Sequence, residues 1–185
     1  MISSNSLGPV KMVQVNFGSF KEHDVNNRFF NPNLAGGALL DIGVYAVSFA
    51  RWFMASKPNT VLTTMTPFET GVDESSGILL QNKEMEIATI SLTMRAKQPK
   101  RGLVACENGY IEIYNFPRAD KATITYTSDG HTEEIVCGES GLALNYEIRD
   151  MEEYVSNLNG QTNLQCIQDV MDVLTSVQES WKRHE

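Results

Sequence analysis

Residues 33–52 read NLAGGALLDIGVYAVSFARW. From Ala38 to Ala50 the segment is apolar almost all round, the pattern of a helix that belongs inside a protein. Between Ala35 and Ala50 it carries one charge, Asp41, and Tyr45 follows four residues later. Side chains at i and i+4 share a helix face, so a carboxylate and a phenol are expected side by side on an apolar cylinder. The pair Gly36-Gly37 stands just ahead of it, where the backbone must turn tightly or come close to something.

Such a helix needs a surface to bury it, and the flanking sequence supplies strands. Lys11 to Phe20 alternates, with Met12, Gln14 and Asn16 opposite Val13, Val15 and Phe17, which predicts a strand. Lys21 to Asn33 is polar and turn-rich, contains Arg28, and is expected to be a loop leading into the helix; binding residues concentrate on such loops. Met1 to Pro9 reads as a small-residue linker. Beyond Met54, Ser56-Lys57-Pro58-Asn59 stops the helix. Strand-like runs follow at Thr60–Phe68, Gly77–Gln81, Met85–Met94, Gly102–Glu107, Tyr110–Tyr114, Ala122–Ser128 and Thr132–Cys137. Asn108-Gly109 and Asp129-Gly130 between such runs are hairpin signals, so a mostly antiparallel meander is expected.

In Met85–Met94, Ala88, Ile90, Leu92 and Met94 alternate with Thr89, Ser91 and Thr93. Thr123, Thr125 and Thr127 repeat the pattern against Ile124 and Tyr126. One sheet face is therefore apolar and awaits helices. The other is small and hydroxyl-rich, suited either to solvent or to packing on a second copy. The chain closes with two helical patterns. The first has a stripe of Leu144, Ile148, Met151, Val155 and Leu158, with Asn159-Gly160 as its C-cap. The second opens on a capping box at Thr162–Gln165 and carries Ile167, Val170, Met171, Leu174, Val177 and Trp181 inward. Strand, helix, many strands and two helices make one α+β domain over residues 1–185, with helices on one face of the sheet.

Composition narrows the function. The chain has 185 residues and a net charge of −8. That balance argues against nucleic acid and anionic membrane as partners, since both select clustered Lys and Arg. Lys97, Lys100 and Arg101 form only a small basic group, expected in a solvated turn. The charge-free run between Asp41 and Arg51 is nine residues, short of the roughly 20 that span a bilayer. Cys106, Cys137 and Cys166 are far apart and form neither a disulfide framework nor a zinc motif, which points to cytoplasmic thiols. Nucleotide-loop, nucleophile-elbow and zincin motifs are all missing.

Asp41 and Tyr45 remain. A tyrosine can pass a proton to or from a hydroxyl or carbonyl, but its reference pKa near 10 is too high for neutral pH. A neighbouring cation would lower it, whereas a carboxylate alone would raise it. The pair makes chemical sense once a positive group completes it. Otherwise it is a buried Asp bonded to backbone amides beside a packed Tyr.

The run NPNLAGGALLDIGVYAVSFARWF closely resembles the Gfo/Idh/MocA family, which includes glucose-fructose oxidoreductase, inositol dehydrogenase and dimeric dihydrodiol dehydrogenase. Its members carry G-G-x-x-x-D-x-G-x-[HY] at the start of their second domain. VKMVQVNFG resembles the first strand of that domain, TGVDES and ENGYIEIYNF resemble later sheet segments, and YEIRDMEEYVSNLNG with the last helix resembles its end. The resemblance implies that Asp41 contacts substrate and the family's lysine, and that Tyr45 is the proton donor or acceptor. It implies that Gly36 and Gly37 lie near the nicotinamide, and that Arg28 joins the substrate pocket. Tyr at position 45 is similar to the glucose-fructose oxidoreductase and dihydrodiol dehydrogenase branches rather than the inositol dehydrogenase one, and the chain as a whole most resembles the dihydrodiol dehydrogenase branch.

The family's Rossmann domain, with its glycine-rich loop and E-K-P lysine, has no counterpart here. The chain thus looks like the C-terminal half of such an enzyme. The expectation is a substrate-binding, homodimerising domain for a sugar, polyol or diol, with NAD or NADP bound only by the full-length protein. Two alternatives stay open: a non-catalytic binding or assembly module of the same fold, and an NAD-dependent glycoside hydrolase relative.

Overall fold

The computed structural model describes residues 6–157 and 161–182. Eight strands form a single sheet: β1 (Val10–Gly18), β2 (Thr60–Pro67), β3 (Asp73–Gln81), β4 (Ile87–Thr93), β5 (Gln98–Cys106), β6 (Gly109–Tyr114), β7 (Lys121–Tyr126) and β8 (Thr132–Val136). Their order is β2-β3-β4-β1-β5-β6-β7-β8, and every pairing is antiparallel except β1 with β4. The parallel pair follows from the connectivity. After β1 the chain crosses one face as a helix and lays down the β2-β3-β4 meander. β4 then returns alongside β1 in the same direction.

The covered face is apolar. Val13, Val15, Ile78, Leu80, Ala88, Ile90, Leu92, Val104, Ile111 and Ile124 are buried there with the helical residues Leu39, Ile42, Ala46, Val47 and Ala50. The alternation read from β1 and β4 holds through Phe17 and Leu92, and breaks at Thr93, which is buried. The crossing segment has three parts: 3-10 turns at Arg28–Phe30 and Pro32–Leu34, a π-helical turn at Leu39–Gly43, and α1 (Val44–Phe53). A last helix, α3 (Gln161–Lys182), packs beside α1 and β2. The Arg51 guanidinium reaches the buried Asp169 carboxylate at 2.8 Å, and Trp181 Nε1–H donates to Thr63 Oγ1 at 3.1 Å.

The structure differs from the sequence reading in several places. The crossing helix is buried on one side only. Leu40, Tyr45 and Trp52 are exposed, because a helix lying on a sheet turns just one stripe toward it. Residues 32–53 have the length and mean hydropathy of a membrane span, yet 56% of that window is buried inside the fold. Leu7, expected in a linker, is buried, and its carbonyl accepts from Asn108 N–H at 2.9 Å. Lys100 and Arg101 lie in β5 instead of a turn. β3 begins at Asp73, four residues before the expected run.

The terminal helices differ most. α2 (Ala143–Asn157) leaves Leu144, Ile148, Met151 and Val155 exposed. Ile167 and Met171 of α3, expected inward, are also exposed. The covered stretch of α3 begins near Asp169, where Arg51 meets it. Leu158 and the Asn159-Gly160 cap lie outside the described residues. α3 begins one residue before the expected capping box, and the Thr162 and Asn163 side chains are likewise outside the described residues.

The second sheet face is not purely hydroxylated. Leu62 and Leu79 continue one cross-strand row into Thr89, Gln14 and Leu103. Tyr110 and Tyr114 stand exposed on the same face.

Candidate active site on the crossing helix

The site is built from the start of the crossing segment. Asn27 caps the first 3-10 turn by accepting from Phe29 N–H at 3.1 Å. Phe30 anchors that turn; it is buried and stacks on Phe68 with centroids 4.0 Å apart. Arg28 is thereby held at the helix side, with its guanidinium 4.1 Å above the Phe29 ring. Its Nη2 donates to Asp41 Oδ1 at 3.0 Å. The Arg28 side chain is 58% exposed and that of Asp41 18%, so the carboxylate is sheltered under a solvent-facing cation.

The glycine pair permits two close approaches. A Cβ on Gly36 would lie 2.7 Å from Asn31 N, and one on Gly37, at φ +108, 2.3 Å from Asp73 Oδ1. No side chain fits at either position. Asp73 Oδ2 accepts from Leu39 N–H at 2.8 Å. Burial pushes the Asp73 carboxyl up to about 6, against the downward pull of the Leu39 amide and the Ser76 hydroxyl.

Tyr45 lies on the outer side of the helix, 50% exposed. Its ring is 6.2 Å from that of Phe17, over which Lys100 Nζ stands at 4.8 Å. Tyr45 edges an apolar cleft of about 260 Å³ shared with Ser48, Phe49, Trp52, Phe116 and Pro117. Among the described residues no hydrogen bond joins Asp41 to Tyr45, and no cation is bonded to the Tyr45 hydroxyl. The π-helical turn widens the helix between them, and the i, i+4 expectation assumes an unbroken α-helix. Single π turns recur at functional sites.

The structure thus joins Arg28 to Asp41 directly and sets Tyr45 one turn away. It packs Gly36 and Gly37 against the protein's own Asn31 and Asp73. Asp73, Phe116, Pro117, Ser48 and Trp52 join the site although no sequence motif marks them. The available signal for Asp73 was that the helix start at Ala38 has no capping side chain of its own. A larger hollow of about 560 Å³ lies between Phe116–Ala119, the Cys137–Ser140 turn and α2. Tyr45 lines the smaller cleft and not this hollow, so the chemistry favours the smaller cleft.

The described residues do not fit a whole dinucleotide. They offer no glycine-rich phosphate loop, and both close-approach glycines are already occupied. They contain no cluster of three or more His, Cys, Asp or Glu able to hold a metal.

This fold is shared with sugar oxidoreductases of known structure. Levoglucosan dehydrogenase in complex with NADH and levoglucosan superposes with a TM-score of 0.82 at 14% identity, over 100% of this chain and 60% of that one. Aldose-aldose oxidoreductase from Caulobacter crescentus gives 0.79 at 18%, over 100% and 57%. The chain belongs to the GFO/IDH/MocA C-terminal domain family, whose model matches residues 1–112. Trans-1,2-dihydrobenzene-1,2-diol dehydrogenase of Xenopus laevis is 30% identical over 159 residues, which is 83% of this chain and 48% of the relative. D-xylose 1-dehydrogenase (NADP(+)) 2 of Haloferax volcanii is 28% identical over 130 residues, 69% of this chain and 40% of the relative. The chain spans about half the length of the curated relatives it matches.

Proposed function

We propose that this chain is the substrate-binding and oligomerising domain of an NAD(P)-dependent oxidoreductase acting on a sugar, polyol or related diol. The observation that carries the reading is the half-exposed Tyr45 at the edge of an apolar cleft, one turn from the Arg28–Asp41 pair. Tyr45 takes the proton of the hydroxyl being oxidised, or returns it to the carbonyl being reduced. Asp41 accepts a hydrogen bond from a substrate hydroxyl, and Arg28 aims the carboxylate. The aromatic wall of the cleft excludes water from the reacting carbon.

The nicotinamide that exchanges the hydride is bound by the other half of the full-length protein. The cation that Tyr45 requires comes from that half too, because Arg28 is committed to Asp41. The 185-residue chain by itself is inactive. The exposed sheet face pairs two copies, and the free thiols of Cys106, Cys137 and Cys166 suit the cytoplasm. The named diol and xylose dehydrogenases among the relatives support this substrate class.

The test is Tyr45→Phe in the protein carrying both halves. Turnover is expected to fall by about 100-fold or more, the scale of a lost general acid–base, with cofactor affinity unchanged. Turnover near that of the unsubstituted protein would remove Tyr45 from the mechanism.

A further inference from the structure

We propose that Asp73 is the positioning residue for the helix that presents Asp41 and Tyr45. Its carboxylate reaches from the head of β3 to serve as the N-cap that the helix lacks, fixing the helix's register over the sheet. The inference rests on the reading of Asp41 and Tyr45 as the chemical site.

The geometry is specific. A helix leaves its first N–H groups without partners inside the helix, and Ala38, at the cap position, has no side chain to accept from them. Asp73 does so from 34 residues away, through Oδ2 to Leu39 N–H at 2.8 Å. It is 5% exposed, and Ser76 Oγ donates to the same oxygen at 3.3 Å. Its other oxygen fills the space where a Gly37 Cβ would stand. The glycine is therefore the mould for this carboxylate.

The far end of the helix is held in the same way. Glu86, buried just before β4, accepts from Ala55 N–H at 2.7 Å through Oε2 and from Asn82 Nδ2. Two buried carboxylates, one at the head of β3 and one before β4, thus grip the backbone immediately before and after the site helix. Such a frame matters for chemistry. A helix advances 1.5 Å per residue, and about 1 Å of misplacement can cost on the order of 100-fold in rate.

The test measures amide hydrogen exchange in the 185-residue chain for Asp73→Ala, Asp73→Asn and Gly37→Ala. Asp73→Ala is expected to speed exchange at Leu39 and Leu40 by about tenfold or more, the scale of a lost cap, while Val13 and Val15 in β1 keep their protection. Asp73→Asn is expected to restore protection, because the carboxamide oxygen still accepts from Leu39. Gly37→Ala, whose methyl displaces the carboxylate, is expected to mimic Asp73→Ala. In the protein with its cofactor half, Asp73→Ala lowers kcat while the cofactor KM stays put, and Asp73→Asn recovers it.

Unchanged exchange at Leu39, a uniform rise across all strands, or an Asn variant as poor as Ala would overturn the proposal. If Asp73→Ala does not fold, the Asn and Gly37 variants decide it by the same exchange readout. Should Tyr45→Phe leave turnover intact, the functional reading fails, and exchange at Leu39 still decides the role of Asp73.

Discussion

Arg28 Nη2 donates to Asp41 Oδ1 at 3.0 Å, a bond that closes a 13-residue separation and sets an exposed cation over a sheltered carboxylate. Because Arg28 is more than half exposed, the pair contributes little to folding; exposed ion pairs are worth about 0–1 kcal/mol. In the proposed function its value lies in aiming Asp41. Arg28→Ala is expected to leave the melting temperature within a few degrees and to raise the substrate KM of the full-length protein by about tenfold, a charge-assisted bond's worth. Thermal unfolding and steady-state kinetics on one preparation check both halves. A large fall in melting temperature with unchanged KM would make Arg28 structural.

Asp73 makes stability depend on pH in a stated direction. Its folded pKa of about 6 lies above the ordinary 3.8 because burial disfavours the charge. The folded state therefore holds the proton more tightly than the unfolded chain. The stabilisation from this proton is complete below about pH 4 and is lost as pH rises through 6, a change of about 3 kcal/mol. Asp73→Asn, which cannot ionise, is expected to gain stability relative to the unsubstituted chain across that window. Urea unfolding of both chains between pH 3.5 and 8 measures this. A pH-independent difference would show that Asp73 is not desolvated.

Much of this fold was legible because its signals are local. Val13, Val15 and Phe17 alternate with polar neighbours, and Asn108-Gly109 sits at a hairpin turn, so β1 and the β5–β6 hairpin could be read directly. The first residues of β3 (Asp73–Ser76) and β5 (Gln98–Arg101) are polar and carry no such pattern. They are strands because β4 and β1 offer them paired backbone, a tertiary cause. The same limit hid Asp73, whose partner Leu39 is distant in sequence. Asp41 and Tyr45 stood out as the polar groups of an apolar run, but the π-helical turn that separates them left no mark in residue spacing.

Arg51 and Asp169 fasten α3 to α1. Arg51 Nε donates to Asp169 Oδ2 at 2.8 Å, its Nη1 to the Met54 carbonyl at 3.0 Å, and Gln165 Nε2 to Asp169 Oδ1 at 2.9 Å. Both side chains are largely buried. Removing one partner strands the other charge, so Arg51→Ala is expected to cost about 3 kcal/mol. Arg51→Met with Asp169→Leu, which removes both charges, is expected to recover most of it. Chemical denaturation of the single and double variants gives the comparison. A double variant no better than the single would mean that the charges are not stranded.

The 185-residue chain is expected to bind NAD(P)H no tighter than millimolar. A dinucleotide needs backbone amides turned toward its phosphates, and here the candidate glycines face inward on Asn31 and Asp73. Isothermal titration with both cofactors is the measurement, and micromolar binding would overturn the assignment of the cofactor to the other half.

The open sheet face carries an apolar strip that the proposed pairing of two copies would use. Leu62 and Leu79 lie side by side across β2 and β3, both exposed, and Thr89 and Gln14 extend their row without a charge. In the next row the single Ser91 Oγ–H is donated within the sheet, to Gln98 Oε1 at 3.1 Å or to Asn16 Oδ1 at 3.2 Å. A flat face with an apolar strip and internally bonded hydroxyls loses little on leaving water. A two-fold dimer would place the strip of one copy near that of its partner. Leu79→Lys is expected to weaken such a dimer by at least about tenfold, since each interface would then bury two like charges. The side chain points away from the core, so folding is expected to survive. Sedimentation equilibrium over a concentration series reads the shift from dimer to monomer. Equal association in both chains would move the interface elsewhere, and a monomeric unsubstituted chain would show that this face does not pair copies of the 185-residue chain.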